Sequence, residues 1–311
     1  MAHSPQRLGR RLGRRAGLDL LEIHGWAGAG PDEHGQRAFD LAIACASPRR
    51  GSGPFLVDVG LFADEPSGLT LHAQRGERVE ADDLQAALGP RGELRVALAA
   101  LDENDAAPGA DIDLSLTTLL AARGLRVARA RGRISALGWS RELDDALVLV
   151  VERHAARRPY AWARAVLYGQ YQGEPLLCLV DTARTRAGSL VLPELARMRL
   201  FGPGAALLPR ALALSPLPAR AEYGTGRLRA VAIAPRHKIT VELSAETEST
   251  ALFEVVDPGG EAAYVHRALT AEGTLLVERG REKIVELKTL ARYEWGARAG
   301  DPRVTHRSWG G

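Results

Sequence analysis

Residues 227–243 read RLRAVAIAPRHKITVEL. Arg227–Ala234 and Lys238–Leu243 alternate apolar with polar and are rich in β-branched residues, and Pro235-Arg236-His237 between them reads as a tight connection. A period of two puts one side of such a run toward a core and the other toward water, so this stretch predicts a β-hairpin. The same pattern continues on both sides. Ala251–Val256 leads into the turn sequence Asp257-Pro258-Gly259-Gly260, and Ala262–His266 follows. Thr274–Arg279, the break Gly280-Arg281-Glu282, Lys283–Lys288 and Ala291–Trp295 complete the C-terminal run. Upstream, Trp162–Gln170 and Leu176–Asp181 straddle Tyr171-Gln172-Gly173-Glu174-Pro175. The second half therefore reads as a meander of hairpins.

The first half follows the same rule with more interruptions. Phe39–Ala44, Phe55–Leu61, Thr70–Gln74, Leu94–Leu101, Ile112–Leu116, Leu125–Ala130 and Ala146–Glu152 are strand candidates. Val79–Leu88 and Thr117–Ala122 are read as helical turns, and Val191–Leu200 and Ala205–Leu214 as irregular strands or short helices. Many short strands with turn chemistry between them, and no strand–helix alternation, predict an all-β protein of sandwiches or barrels with few short helices. At 311 residues the chain exceeds what one core usually fills, so two packed domains are expected. The basic, turn-like segment His154–Pro159 separates them. The division expected is a basic N-terminal segment over residues 1–25, β domains over 26–155 and 156–300, and a tail over 301–311.

Composition excludes several classes. The 41 basic and 38 acidic side chains nearly balance, for a net charge of +3. Only Lys238, Lys283 and Lys288 are lysines, so the basic count reflects arginine usage typical of a GC-rich bacterial genome. Nucleic-acid binding is not expected, because no basic stripe or recognised module is present. Cys45 and Cys178 each sit in an apolar run and read as inert core thiols. No stretch of about 20 apolar residues suggests a transmembrane helix. The N-terminal arginines at 7, 10, 11 and 14 lack a following apolar region, so a signal peptide is not expected. A cytoplasmic protein with at most peripheral membrane contact is the expectation.

The sequence has no Walker A, HExxH or GxSxG motif. Its eight histidines are scattered without ligand spacing, and no metal or cofactor is expected. Asp82-Asp83, Asp144-Asp145 and the alternating Asp111 and Asp113 read as solvated surface or caps. The informative residues are aromatic and titratable groups on the second half's strands. Tyr160, Trp162 and Arg164 share a face by alternation, as do Tyr264 and His266; Tyr293 and Trp295 share one face while Glu294 points to the other. Aromatic walls with a few convergent polar groups suit an apolar ligand in a barrel. They equally suit core aromatics whose polar tips reach a rim.

Tyr160-Ala161-Trp162-Ala163-Arg164-Ala165, and the run FEVVDPGGEAAYVHRAL through EGTLLVER to ARYEWG over residues 253–296, resemble the tocopherol cyclase-like and carotenoid hydratase-like group. The resemblance covers the C-terminal half and lacks the acidic active-site segment of a carotenoid hydratase. It implies two packed antiparallel lipocalin-like barrels and a lipophilic, isoprenoid-like small molecule as partner. It also implies acid-catalysed cyclisation or hydration, in which an acid kept protonated by an apolar setting protonates a carbon–carbon double bond and aromatic faces stabilise the cation. Glu294 or His266 would supply the proton. Trp162, Tyr264 and Trp295 would line the ligand, with Arg164 among the binding residues. The alternatives are a non-catalytic β-rich structural or interaction protein that self-assembles as a homo-oligomer, and a hydrolase whose carboxylates come from several strands.

Overall fold

The computed structural model describes residues 20–25, 36–45, 55–65, 68–79, 84–88, 93–98, 110–122, 124–136, 139–153, 160–187, 190–212, 216–224, 227–244, 250–256 and 262–298. Within these, side chains are described from Asp113 onward except at 134–141, 152–153, 186–187, 191, 250–272 and 298. The described residues are almost entirely β, and they form two compact units, Met1–Arg157 with Val256–Gly260 and Arg158–Val255 with Glu261–Gly311.

The first unit contains β1 (Leu20–Gly25), β2 (Gln36–Cys45), β3 (Phe55–Glu65), β4 (Gly68–Val79), β5 (Leu84–Leu88), β6 (Glu93–Leu98), β7 (Ala110–Ala122), β8 (Leu125–Ala136) and β9 (Trp139–Arg153). They form one antiparallel sheet in the order β4-β3-β2-β1-β9-β8-β7-β6-β5. Leu114 and Leu116 are buried while Asp113, Ser115 and Thr117 between and beside them are exposed, as a period of two requires. The carboxylates of Asp144 and Asp145 are also exposed and pair with Arg131 at 3.3 Å and Arg129 at 3.7 Å.

Two segments depart from the sequence expectation. Thr117–Ala122, read as a helical turn, is the end of β7, paired with β8 as far as Ala122↔Leu125 across a register shift between Thr118 and Leu120. Val79 closes β4, and Leu84–Leu88 is β5, paired with β6. In both places pairing with a neighbouring strand outweighs local propensity. Leu20–Gly25, absent from the strand candidates, lies between β2 and β9 and pairs with both.

The second unit contains β10 (Ala161–Tyr171), β11 (Glu174–Arg184), the two-residue strands β12 (Arg186–Ala187) and β13 (Leu190–Val191), β14 (Leu195–Phe201), β15 (Leu217–Gly224), β16 (Arg227–Ala234), β17 (His237–Ser244), β18 (Thr250–Val256), β19 (Ala262–Arg279) and β20 (Glu282–Arg298). The sheet order is β17-β16-β15-β14-β11-β10-β20-β19-β18, and β17 also pairs with β19. That last pairing, from Lys238↔Glu278 to Ser244↔Glu272, closes eight strands into a barrel with β18 outside the ring.

Alternation lines the barrel with apolar side chains. Ala163, Ala165 and Leu167 of β10, Leu176, Cys178 and Val180 of β11, and Leu228, Ala230, Ala232 and Ala234 of β16 belong to one buried cluster with residues of the other ring strands. The intervening Arg227 and Arg229, and Lys238 and Glu242 of β17, are exposed. On β10 and β11, by contrast, the outward positions Val166, Leu177 and Leu179 are apolar and buried. Among the described residues no helix is long and apolar enough to cross a membrane.

One end of the barrel is plugged. A single helical turn, α1 (Pro203–Ala206), and a 3-10 turn at Arg210–Leu212 connect β14 to β15. Leu208 and Leu212 bury themselves in the barrel cluster. A Cβ on Gly204 would stand 2.7 Å from the Glu174 carbonyl oxygen, so only glycine lets α1 lie this close to β11.

Candidate functional site

At the end away from α1, register brings together Ala161 and Arg184, Ala161 and Ala297, Ala183 and Leu195, and Gly224 and Arg227. Tyr293 lies just inside this end. It is 1% exposed, the largest fully buried side chain among the described residues. Its hydroxyl donates to the Gly224 carbonyl at 2.8 Å. β20 and β15 are four strands apart around the ring in either direction, so this side chain crosses the lumen. Burial pushes the phenol well above its ordinary pKa, and the nearby Tyr223 and Glu194 push it the same way. Tyr293 therefore keeps the proton it donates.

Tyr223 and Trp295 pack, partly buried, against the same cluster. Glu194, whose charge acts on Tyr293, faces Arg184 at 3.8 Å. Arg184 ends β11 and Glu194 precedes β14, so this pair ties the base of the connection over residues 185–194. A backbone bond from Leu192 N–H to the Thr185 carbonyl, 2.9 Å, closes it further. Aromatic rings with polar tips, above a lumen of aliphatic residues, can hold an apolar molecule and orient one polar end.

The outward face of the same strands carries a different set. Arg164 is the register partner of both Asp181 and Glu294. Its Nε donates to Asp181 Oδ1 at 2.8 Å, and Arg199 Nη1 donates to Asp181 Oδ2 at 3.3 Å. Trp162, Arg292 and Glu294 are buried on this face. The carboxylate of Asp181 is thus held between two guanidiniums, a charge-assisted arrangement in a half-buried setting.

Of the residues the sequence singled out, Trp162, Arg164 and Glu294 share the outward face. Trp295 faces the lumen with Tyr293, and Trp162 lies on the opposite face. Tyr264 and His266 occupy register positions opposite Ala297 and Trp295, and their side chains lie outside the described ones. Tyr223, Asp181, Arg199, Arg184 and Glu194 were not singled out. Tyr293 and Gly224 are 69 positions apart, and only barrel closure brings them together.

No family model and no curated protein matches the chain. Among solved structures it is similar to kievitone hydratase from Nectria haematococca, at 8% identity and a TM-score of 0.49, covering 94% of this chain and 93% of that one. It is also similar to a proposed AttH protein from Nitrosomonas europaea, at 12% identity and a TM-score of 0.44, covering 89% of this chain and 91% of that one. At these values the fold reading stands on the strand order described above.

Proposed function

We propose that the second unit's barrel binds a lipophilic small molecule, taken up at the end lined by Tyr223, Tyr293 and Trp295. One observation carries the reading: the lumen faces of neighbouring strands β15 and β16 carry Ala219, Ala221, Ala230, Ala232 and Ala234. An eight-stranded barrel is just wide enough for large side chains to fill it or for one small ligand to occupy it. Alanine along one wall leaves volume that larger residues would take. The chemistry implied by the resemblance, acid-catalysed hydration or cyclisation, needs a proton donor on the lumen side. Glu294 is on the outward face, which leaves His266, at the register position of Trp295, as the residue to test for that step.

Ala232→Leu separates a ligand lumen from a filled core. If the lumen receives a ligand, the added methylenes occupy its space: uptake of a fluorescent apolar probe is lost while thermal stability holds or rises. A core already packed to native density would instead lose about 1–3 kcal/mol from overpacking. That loss, with probe uptake unchanged, overturns the proposal.

A further inference from the structure

The described residues between β11 and β14, with the first residue of β14, carry apolar side chains into water at the ligand-uptake end. Leu190 and Leu195 are 63% and 62% exposed and Leu192 is 38% exposed. The other exposed large hydrophobics described in this unit, Leu207 and Ile233, lie at the plugged end. Residues 181–199 contain four arginines, at 184, 186, 197 and 199, against the acids Asp181 and Glu194, and two of the arginines face those acids, Arg184 with Glu194 and Arg199 with Asp181. Arg220 and Arg227, on the hairpin that carries Tyr223 and Gly224, are exposed, as are Glu222 between them and Arg197.

We infer that this end docks on an anionic lipid bilayer. The leucines enter the boundary between headgroups and acyl chains, and the arginines lie against the phosphates. This deepens the proposed function and rests on it, since a bilayer is where a lipophilic molecule resides, and docking at the uptake end lets it pass into the lumen without crossing water. The chemistry favours a membrane over a protein partner. Three leucines, two on this connection and one at the start of β14, offer far less than the roughly 800 Å² per side of a standard protein interface, whereas a basic rim complements a negative lipid surface.

The test is co-sedimentation of the full chain with phosphatidylcholine vesicles, with and without phosphatidylglycerol. The wild type binds the anionic vesicles, and added salt weakens that binding. Leu190→Glu with Leu195→Glu lowers the partition coefficient by more than about tenfold, and Arg197→Glu or Arg227→Glu by about fivefold each, on anionic vesicles only. All four positions are exposed, so melting temperature and apolar-probe uptake stay at wild-type values. Wild-type protein that ignores anionic vesicles, or leucine variants that bind them equally well, overturn the docking while probe uptake leaves the lumen reading intact. A wild-type dimer that the leucine variants convert to monomer overturns it too, by assigning the leucines to a second copy.

Discussion

Tyr293 does two things at once. It is the largest fully buried side chain described in the barrel, and it holds a backbone carbonyl four strands away. Tyr293→Phe keeps the ring and deletes the bond, leaving the Gly224 carbonyl without this donor, and should cost about 1–2 kcal/mol. The same residue contributes to pH dependence, together with Cys178, whose thiol burial pushes up from its ordinary 9.0 to about 12. Both groups bind their proton more tightly folded than unfolded. In the window between the two values the folded state carries more protons, so stability falls as pH rises. For Cys178 that loss begins near 9 and is complete near 12, and below 9 it contributes no slope. Urea midpoints at neutral pH and at about pH 11 should show the drop, at up to about 1.4 kcal/mol per pH unit per group. Tyr293→Phe and Cys178→Ala should each flatten it. Alternation alone put Tyr293 beside Trp295 and Glu294 on the other face. The partner of the phenol was not legible, because nothing local encodes a contact between residues 69 apart.

At the scale of elements, the hairpins around Tyr171-Gln172-Gly173 and Pro235-Arg236 were readable because turn residues and a period of two coincide. Gln172 and Arg236 do adopt positive φ, 52° and 62°. What failed was pairing-dependent structure. β1 and the end of β7 lack a clean local signal and are strands because a neighbour supplies the hydrogen bonds. The runs Ala262–His266 and Thr274–Arg279 read as separate strands. They join as β19 because a register shift between Ala268 and Ala271 absorbs the break. The plug was read as an irregular strand or a short helix, and it is two short helical turns seated where the Gly204 backbone meets β11. Gly204→Ala drives a methyl to 2.7 Å from the Glu174 carbonyl oxygen, and neither backbone yields cheaply. The expected result is a loss of about 1–3 kcal/mol, with faster amide exchange over residues 203–212 than elsewhere in the barrel. Uniform exchange with unchanged stability would mean that α1 is not seated on β11.

Across the whole molecule, both units obey one rule of connection. The first strand of each pairs antiparallel with the last, β1 with β9 and β10 with β20. Strand candidates run throughout the sequence and led to an expectation of two β-rich halves; the basic, turn-like sequence 154–159 read as their divider lies outside the described residues. Closure of the second ring was not legible, because the β17–β19 pairing skips β18 and depends on register alone. Closure is what turns a row of alternating alanines into one wall of an enclosed lumen, and the functional reading follows from that wall. Native mass spectrometry of the purified chain, followed by organic extraction, tests it most directly. The account predicts a stoichiometric apolar molecule that leaves on extraction and is missing from Ala232→Leu. A clean apo mass for the wild type, unchanged after incubation with an apolar probe, would contradict it.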